Sequence, residues 1–214
     1  MVGAISAASG IAPLSASVYT YRQQSRDIKV LSAYFLFLLF VEGTMEYYAY
    51  HKMNNLWFGH FVTPIEFGVF TYVFSRWQKS RTRQLILQVS IPVIILAYIV
   101  VNYQLENLTS FNTYTRPAVS VILIIISSLI LYDLYKSRMV TLFKNIRFWI
   151  ALGVLTYNAG TVALFSMINI FLAVSPSLAF VAMLLHTVLN ITSNIFFAKG
   201  YLCLRTQTNS GGGL

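Results

Sequence analysis

The sequence predicts an all-α integral membrane protein, a seven-transmembrane-helix bundle with its N-terminus outside and its C-terminus cytoplasmic. Three observations predict it. Hydrophobic residues make up 57% of the 214 and charged residues only 10%, against roughly 45–50% and 25% in soluble domains. Seven stretches are long and apolar enough to cross a hydrocarbon core of about 30 Å. Basic residues collect in alternate connections between those stretches. With a mean hydropathy of +0.67, a chain of this size cannot hide its apolar surface in a water-soluble fold, because small domains expose a large share of their residues. A soluble enzyme and a nucleic-acid binder are both excluded.

The stretches run at about 3–21, 30–50, 57–77, 85–103, 117–135, 148–173 and 178–198. The first is rich in Ala, Ser and Gly and contains Pro13; small residues suit close helix packing in lipid, so it reads as a helix. A cleaved signal peptide is the competing reading of this stretch, against which stands the absence of a charged region ahead of it. The second carries Glu42 and Glu46, and the third carries His60, Pro64 and Glu66. The fourth contains Pro92, and the fifth, PAVSVILIIISSLILYDLY, has one charge near its end. The sixth holds Asn158 and Thr161, and the seventh holds His186, Asn190 and Asn194. Together they form a single domain over 1–205, followed at 206–214 by a Gly-rich flexible tail that reads as linker. The lone Cys203 excludes an internal disulfide and paired-cysteine zinc sites.

Thirteen of the fifteen basic residues fall in the connections after stretches one, three and five and after stretch seven, leaving Lys52 and Arg116 on the other side. The positive-inside rule turns that asymmetry into the predicted orientation, and it accounts for the net charge of +9 without nucleic acid. Tyr and Trp near the ends of the stretches, such as Tyr19, Tyr47, Tyr50, Trp57, Trp77 and Trp149, read as anchors at the headgroup level. The cytoplasmic connections are about 8, 7 and 12 residues and the tail about 16. None folds into a catalytic domain, so the chain acts within the bilayer or through a partner.

Ionisable groups inside a bilayer cost about 2.5–3.5 kcal/mol each at the helix centre and mark function. A helical rise of 1.5 Å per residue puts Glu42, Glu66 and His186 at similar depths, about 12–13 Å below the outer surface. Glu42 and Glu46 share one face, and His186, Asn190 and Asn194 line one stripe at four-residue spacing. His60, Thr63 and Glu66 follow at three-residue spacing, with Pro64 placed to aim the carboxylate. Polar stripes facing lipid would go unsatisfied, so they turn inward to an outward-opening polar cavity. The ligand-binding candidates are therefore Glu42, Glu46, His60, Glu66, Asn158, His186 and Asn190. The competing structural role for them is hydrogen bonding between helices.

The stretch VEGTMEYYAYHKMNNLWFGHFVTPIEF resembles the second and third helices of an uncharacterised family of small seven-helix membrane proteins of Bacteroidota. FWIALGVLTYNAG and LLHTVLNITSNIFFAKGYL are similar to that family's sixth and seventh helices. The matching polar positions are Glu42, Asn55, Glu66, Gly160, His186 and Asn190, whereas Glu46 and His60 depart from the pattern. Members are often encoded near sensor histidine kinases, so the resemblance implies the bacterial inner membrane and a signalling context, and no reaction.

Four functions fit these residues. A receptor- or sensor-like module would bind a cationic or hydroxyl-rich ligand and act through a membrane or cytoplasmic signalling partner. A membrane-embedded metal-dependent hydrolase would hold a divalent metal on Glu42, Glu66 and His186, with Glu46 or His60 as general base. It would lack the paired histidines of zinc hydrolases resembling adiponectin receptors, since His186 is followed four residues later by Asn190. A small transporter would use the carboxylates as a relay, and a structural subunit would use them for assembly. Retinal needs a Schiff-base lysine mid-helix, and the only lysine near stretch seven is Lys199, at its cytoplasmic end.

Overall fold

Backbone groups in apolar surroundings must find partners within their own segment, so long apolar runs close into helices. The computed structural model describes residues 2–137 and 142–209, with no strand among them. The helices are α1 (Val2–Ser9), α2 (Ile11–Tyr19), α3 (Arg26–Tyr50), α4 (Trp57–Arg76), α5 (Arg81–Leu105), α6 (Thr115–Lys136), α7 (Ile146–Val174) and α8 (Pro176–Asn209). Helix α8 runs past the tail boundary expected at residue 205, and 210–214 lie outside the described residues.

Five of these helices, rather than the seven predicted, are long and apolar enough to cross a membrane: α3, α5, α6, α7 and the Ser177–Arg205 part of α8. That fits a multi-pass integral membrane protein. The first predicted stretch breaks into α1 and α2, about 12–14 Å each and too short to span alone. Pro13 explains the break, because it cannot donate to the Ser9 carbonyl and its ring crowds that group. Helix α4 has the length, but its load of His60, Thr63, Pro64 and Glu66 leaves it too polar to count on composition.

Helices α3, α4, α6, α7 and α8 form a ring that the paired α1 and α2 close, lying between α8 and α3. Helix α5 stands outside the ring against α4 and presents apolar side chains such as Leu85, Val89, Val93 and Leu96 outward. In lipid this exposure carries no hydrophobic cost.

The apolar core fills the half of the ring nearest the basic connections, with Leu31, Phe67, Phe74, Leu123, Ile150 and Tyr201 fully buried. Polar bonds tie that end together. The Ser32 hydroxyl donates to Gln24 Oε1 at 2.8 Å and accepts from the Tyr201 hydroxyl at 2.9 Å. The Trp77 indole donates to Asp27 at 2.7 Å. Trp77 is therefore buried between α4 and α3 rather than anchored at the headgroups. At the opposite end α3 stops in a Schellman turn: Met53 N–H donates to the Tyr48 carbonyl and Lys52 N–H to that of Ala49, with Lys52 at φ 56°.

Candidate functional site

The end of the ring away from the core holds a cavity of about 260 Å³. Glu42, Glu46, Glu66, Asn158, His186 and Asn190 all line it, six of the seven predicted site residues. Helix α3 contributes Glu42 and Glu46 one turn apart, and α4 contributes Glu66. Helix α7 brings Asn158, and α8 brings His186 and Asn190, also one turn apart.

Each group has a distinct environment. Arg116, at the second residue of α6, donates to Glu66 at 2.5 Å, and both side chains are 6% exposed. The guanidinium also lies 5.4 Å from the Tyr157 ring centre and 5.8 Å from that of Phe165. His186 Nε2 lies 3.0 Å from the Tyr157 hydroxyl, with the Phe165 ring edge-on beside it. Asn190 donates to Ser6 Oγ at 2.9 Å and Asn194 to Ser9 Oγ at 2.8 Å, tying α8 to α1. Asn158 donates to the Val154 carbonyl at 2.9 Å, while its buried Oδ1 has no hydrogen-bond partner.

Glu42 and Glu46 differ from Glu66. Both are half-buried and neither forms an ion pair among the described residues. Helix α1 approaches them through glycine. A Cβ on Gly3 would collide with the Glu46 carboxylate, and one on Gly10 would sit 3.6 Å from Glu42. The small residues of the first stretch thus admit α1 beside two carboxylates.

His60 does not join the site. It is buried against α5 and the link to α6, where Nε2 donates to the Ser110 carbonyl at 3.0 Å and Nδ1 accepts from Asn102 at 2.7 Å. Glu106 lies 3.8 Å from Nδ1 and accepts from Tyr114 N–H, Thr115 N–H, the Thr115 hydroxyl and Asn102. These bonds pin the 106–114 link across the cavity end of the ring, where Asn112 reaches Thr63 and lines the cavity. His60 departs because two three-residue steps rotate a helix by about 120°, which sets it well off the face of Glu66.

The sequence reading missed Arg116, Tyr157 and Tyr34, which all line the cavity. Arg116 was assigned to the outer flank by charge counting, yet it is buried. Its signal was its isolation, as one of only two basic residues at the end carrying the intramembrane carboxylates.

The metal set Glu42, Glu66 and His186 does not assemble. No group of three His, Cys, Asp or Glu residues arranged to hold a metal occurs among the described residues. Arg116 occupies the Glu66 carboxylate, and Tyr157 meets one ring nitrogen of His186. His60, offered as a general base, lies outside the cavity. No family model, curated protein or solved structure matches this chain.

Proposed function

We propose that the chain is a receptor- or sensor-like module of the bacterial inner membrane, which takes a small ligand into its cavity from the outer side and acts through a signalling partner. The observation that carries this reading is the cavity itself, where polar side chains from six helices converge at the end opposite the core. Its volume lies near the small end of ligand pockets, about 300–1,000 Å³. The basic connections lie at the other end, so the positive-inside rule puts the cavity outside.

Helix α4 crosses the membrane in this reading, since His60, Thr63 and Glu66 are all buried away from lipid. With α1 and α2 together as one crossing, the ring and α5 make the seven-helix, N-outside arrangement. The resemblance to a family encoded near sensor histidine kinases supports the signalling partner. A ligand shifts such a bundle only by preferring one conformation, and the junctions of α1 with α3 and α8 at Gly3, Ser6 and Ser9 are where a guest would alter packing.

The test is a single thiol in the cavity. Met45 lines it, so M45C in a Cys203→Ser background is exposed to a membrane-impermeant maleimide on intact cells. Labelling from outside, together with cross-linking to a membrane or cytoplasmic kinase, is expected. Labelling only after the cells are opened would reject the outward cavity.

A further inference from the structure

We infer that the occupant of this cavity is a small organic ammonium ion with an apolar body, its charge held by Glu42 and Glu46; the inference rests on the cavity reading above. Three carboxylates and one guanidinium line the space, and the guanidinium is bound to Glu66. Glu42 and Glu46 are left without a cationic partner among the described residues. Half-buried carboxylates on neighbouring turns repel each other and lose hydration, and a cation between them relieves both effects.

One further group calls for a donor. The Oδ1 of Asn158, a residue only 1% exposed, accepts no hydrogen bond. It can accept from an ammonium group, which has only donors to offer. Below it the walls are apolar, from Phe35, Phe70, Val154 and Phe197.

The chemistry discriminates between ligand classes. An anion would face two uncompensated carboxylates, and the one guanidinium is already spent on Glu66. A zinc-like metal ion needs three or more such ligands in fixed geometry, and no group of three His, Cys, Asp or Glu residues arranged for it occurs among the described residues. An ammonium ion needs only negative charge and acceptors, and its carbon skeleton suits the apolar floor.

The experiment uses the full chain purified in detergent, in phosphate rather than an amine buffer. Butylamine, hexylamine and phenethylamine are titrated calorimetrically beside the alcohols and carboxylates of the same skeletons, and each is tested for slowing maleimide labelling of M45C. Saturable amine binding is expected, about tenfold or more tighter than the matching alcohol, with E42Q and E46Q each losing about that factor. Asp133→Asn, at an exposed carboxylate outside the cavity, should bind as wild type. Should a Gln variant not fold, the amine–alcohol comparison on wild type still decides.

Alcohols or carboxylates binding as well as amines, or amines indifferent to both Gln substitutions, would overturn the assignment. So would a lack of amine binding in protein whose M45C thiol labels from outside. In those cases the open cavity stands and only the charge of its occupant is wrong. Failure of the thiol to label from outside is a separate result that removes the cavity reading itself.

Discussion

The Tyr98 hydroxyl of α5 donates to the His60 carbonyl of α4 at 2.9 Å. That carbonyl is the one Pro64 leaves without a helical partner, since proline has no N–H to give to the residue four before it. The bond therefore repairs a defect written into α4 and is one of the few that hold α5 to the ring. Tyr98→Phe should leave a buried acceptor unpaired and cost about 1–3 kcal/mol. Adding Pro64→Ala returns an N–H to the helix, so the double variant should recover part of the loss. Equilibrium unfolding in mixed detergent micelles, run as a double-mutant cycle, checks this through a non-additive energy.

The Arg116–Glu66 pair supports a second prediction. Its side chains are equally buried and come from helices that enter the ring separately. Arg116→Ala should destabilise the protein by about 3–5 kcal/mol, because it strands a buried carboxylate. Replacing both residues with Met should cost far less, since desolvation of the two charges disappears with their attraction. The same unfolding assay distinguishes these outcomes: a double variant no better than Arg116→Ala would mean that the pair does more than neutralise itself.

Hydropathy alone located the long helices, because length and apolarity are local properties. Helical spacing placed Glu42 with Glu46 and His186 with Asn190, since four residues is close to one turn. It failed for His60, where three-residue steps drift round the helix until the imidazole meets Asn102 and Ser110 instead of the cavity. The α1–α2 break was not read: the first stretch was expected as one helix over 3–21 although Pro13 stands at the point where it breaks. Arg116 was not legible. Its partner lies 50 residues away, and a count of basic flanks treats every arginine as solvated. Trp77 was misread for the same reason, its indole being committed to Asp27 on another helix.

Close approach of α7 and α8 depends on missing side chains. A Cβ on Gly160 would collide with the Leu189 side chain, and one on Gly153 would come within 2.5 Å of the Phe197 ring. Gly160→Ala should destabilise by about 1–3 kcal/mol through overpacking, and Leu189→Ala should relieve it in the double variant. Gly153→Ala presses instead on Phe197, which lines the cavity. It should lower amine affinity as well as stability, whereas Gly160→Ala combined with Leu189→Ala should leave affinity near wild type. Calorimetry on both proteins separates packing between helices from the shape of the cavity.

The turn after α3 yields the last prediction. Lys52 takes φ 56° at the position that follows the helix cap, where its N–H and that of Met53 close the Schellman hydrogen bonds. A left-handed residue with a Cβ costs about 1–2 kcal/mol, and glycine removes that strain. Lys52 is exposed on the link between α3 and α4 and forms no ion pair among the described residues, so little is lost with its charge. Lys52→Gly should therefore stabilise the protein by about 1 kcal/mol, partly offset by the added freedom of glycine in the unfolded chain. Lys52→Ala keeps the Cβ and should bring no gain. A rise in the thermal melt for glycine alone attributes the effect to backbone conformation; an equal rise for alanine would attribute it to removal of the lysine charge instead.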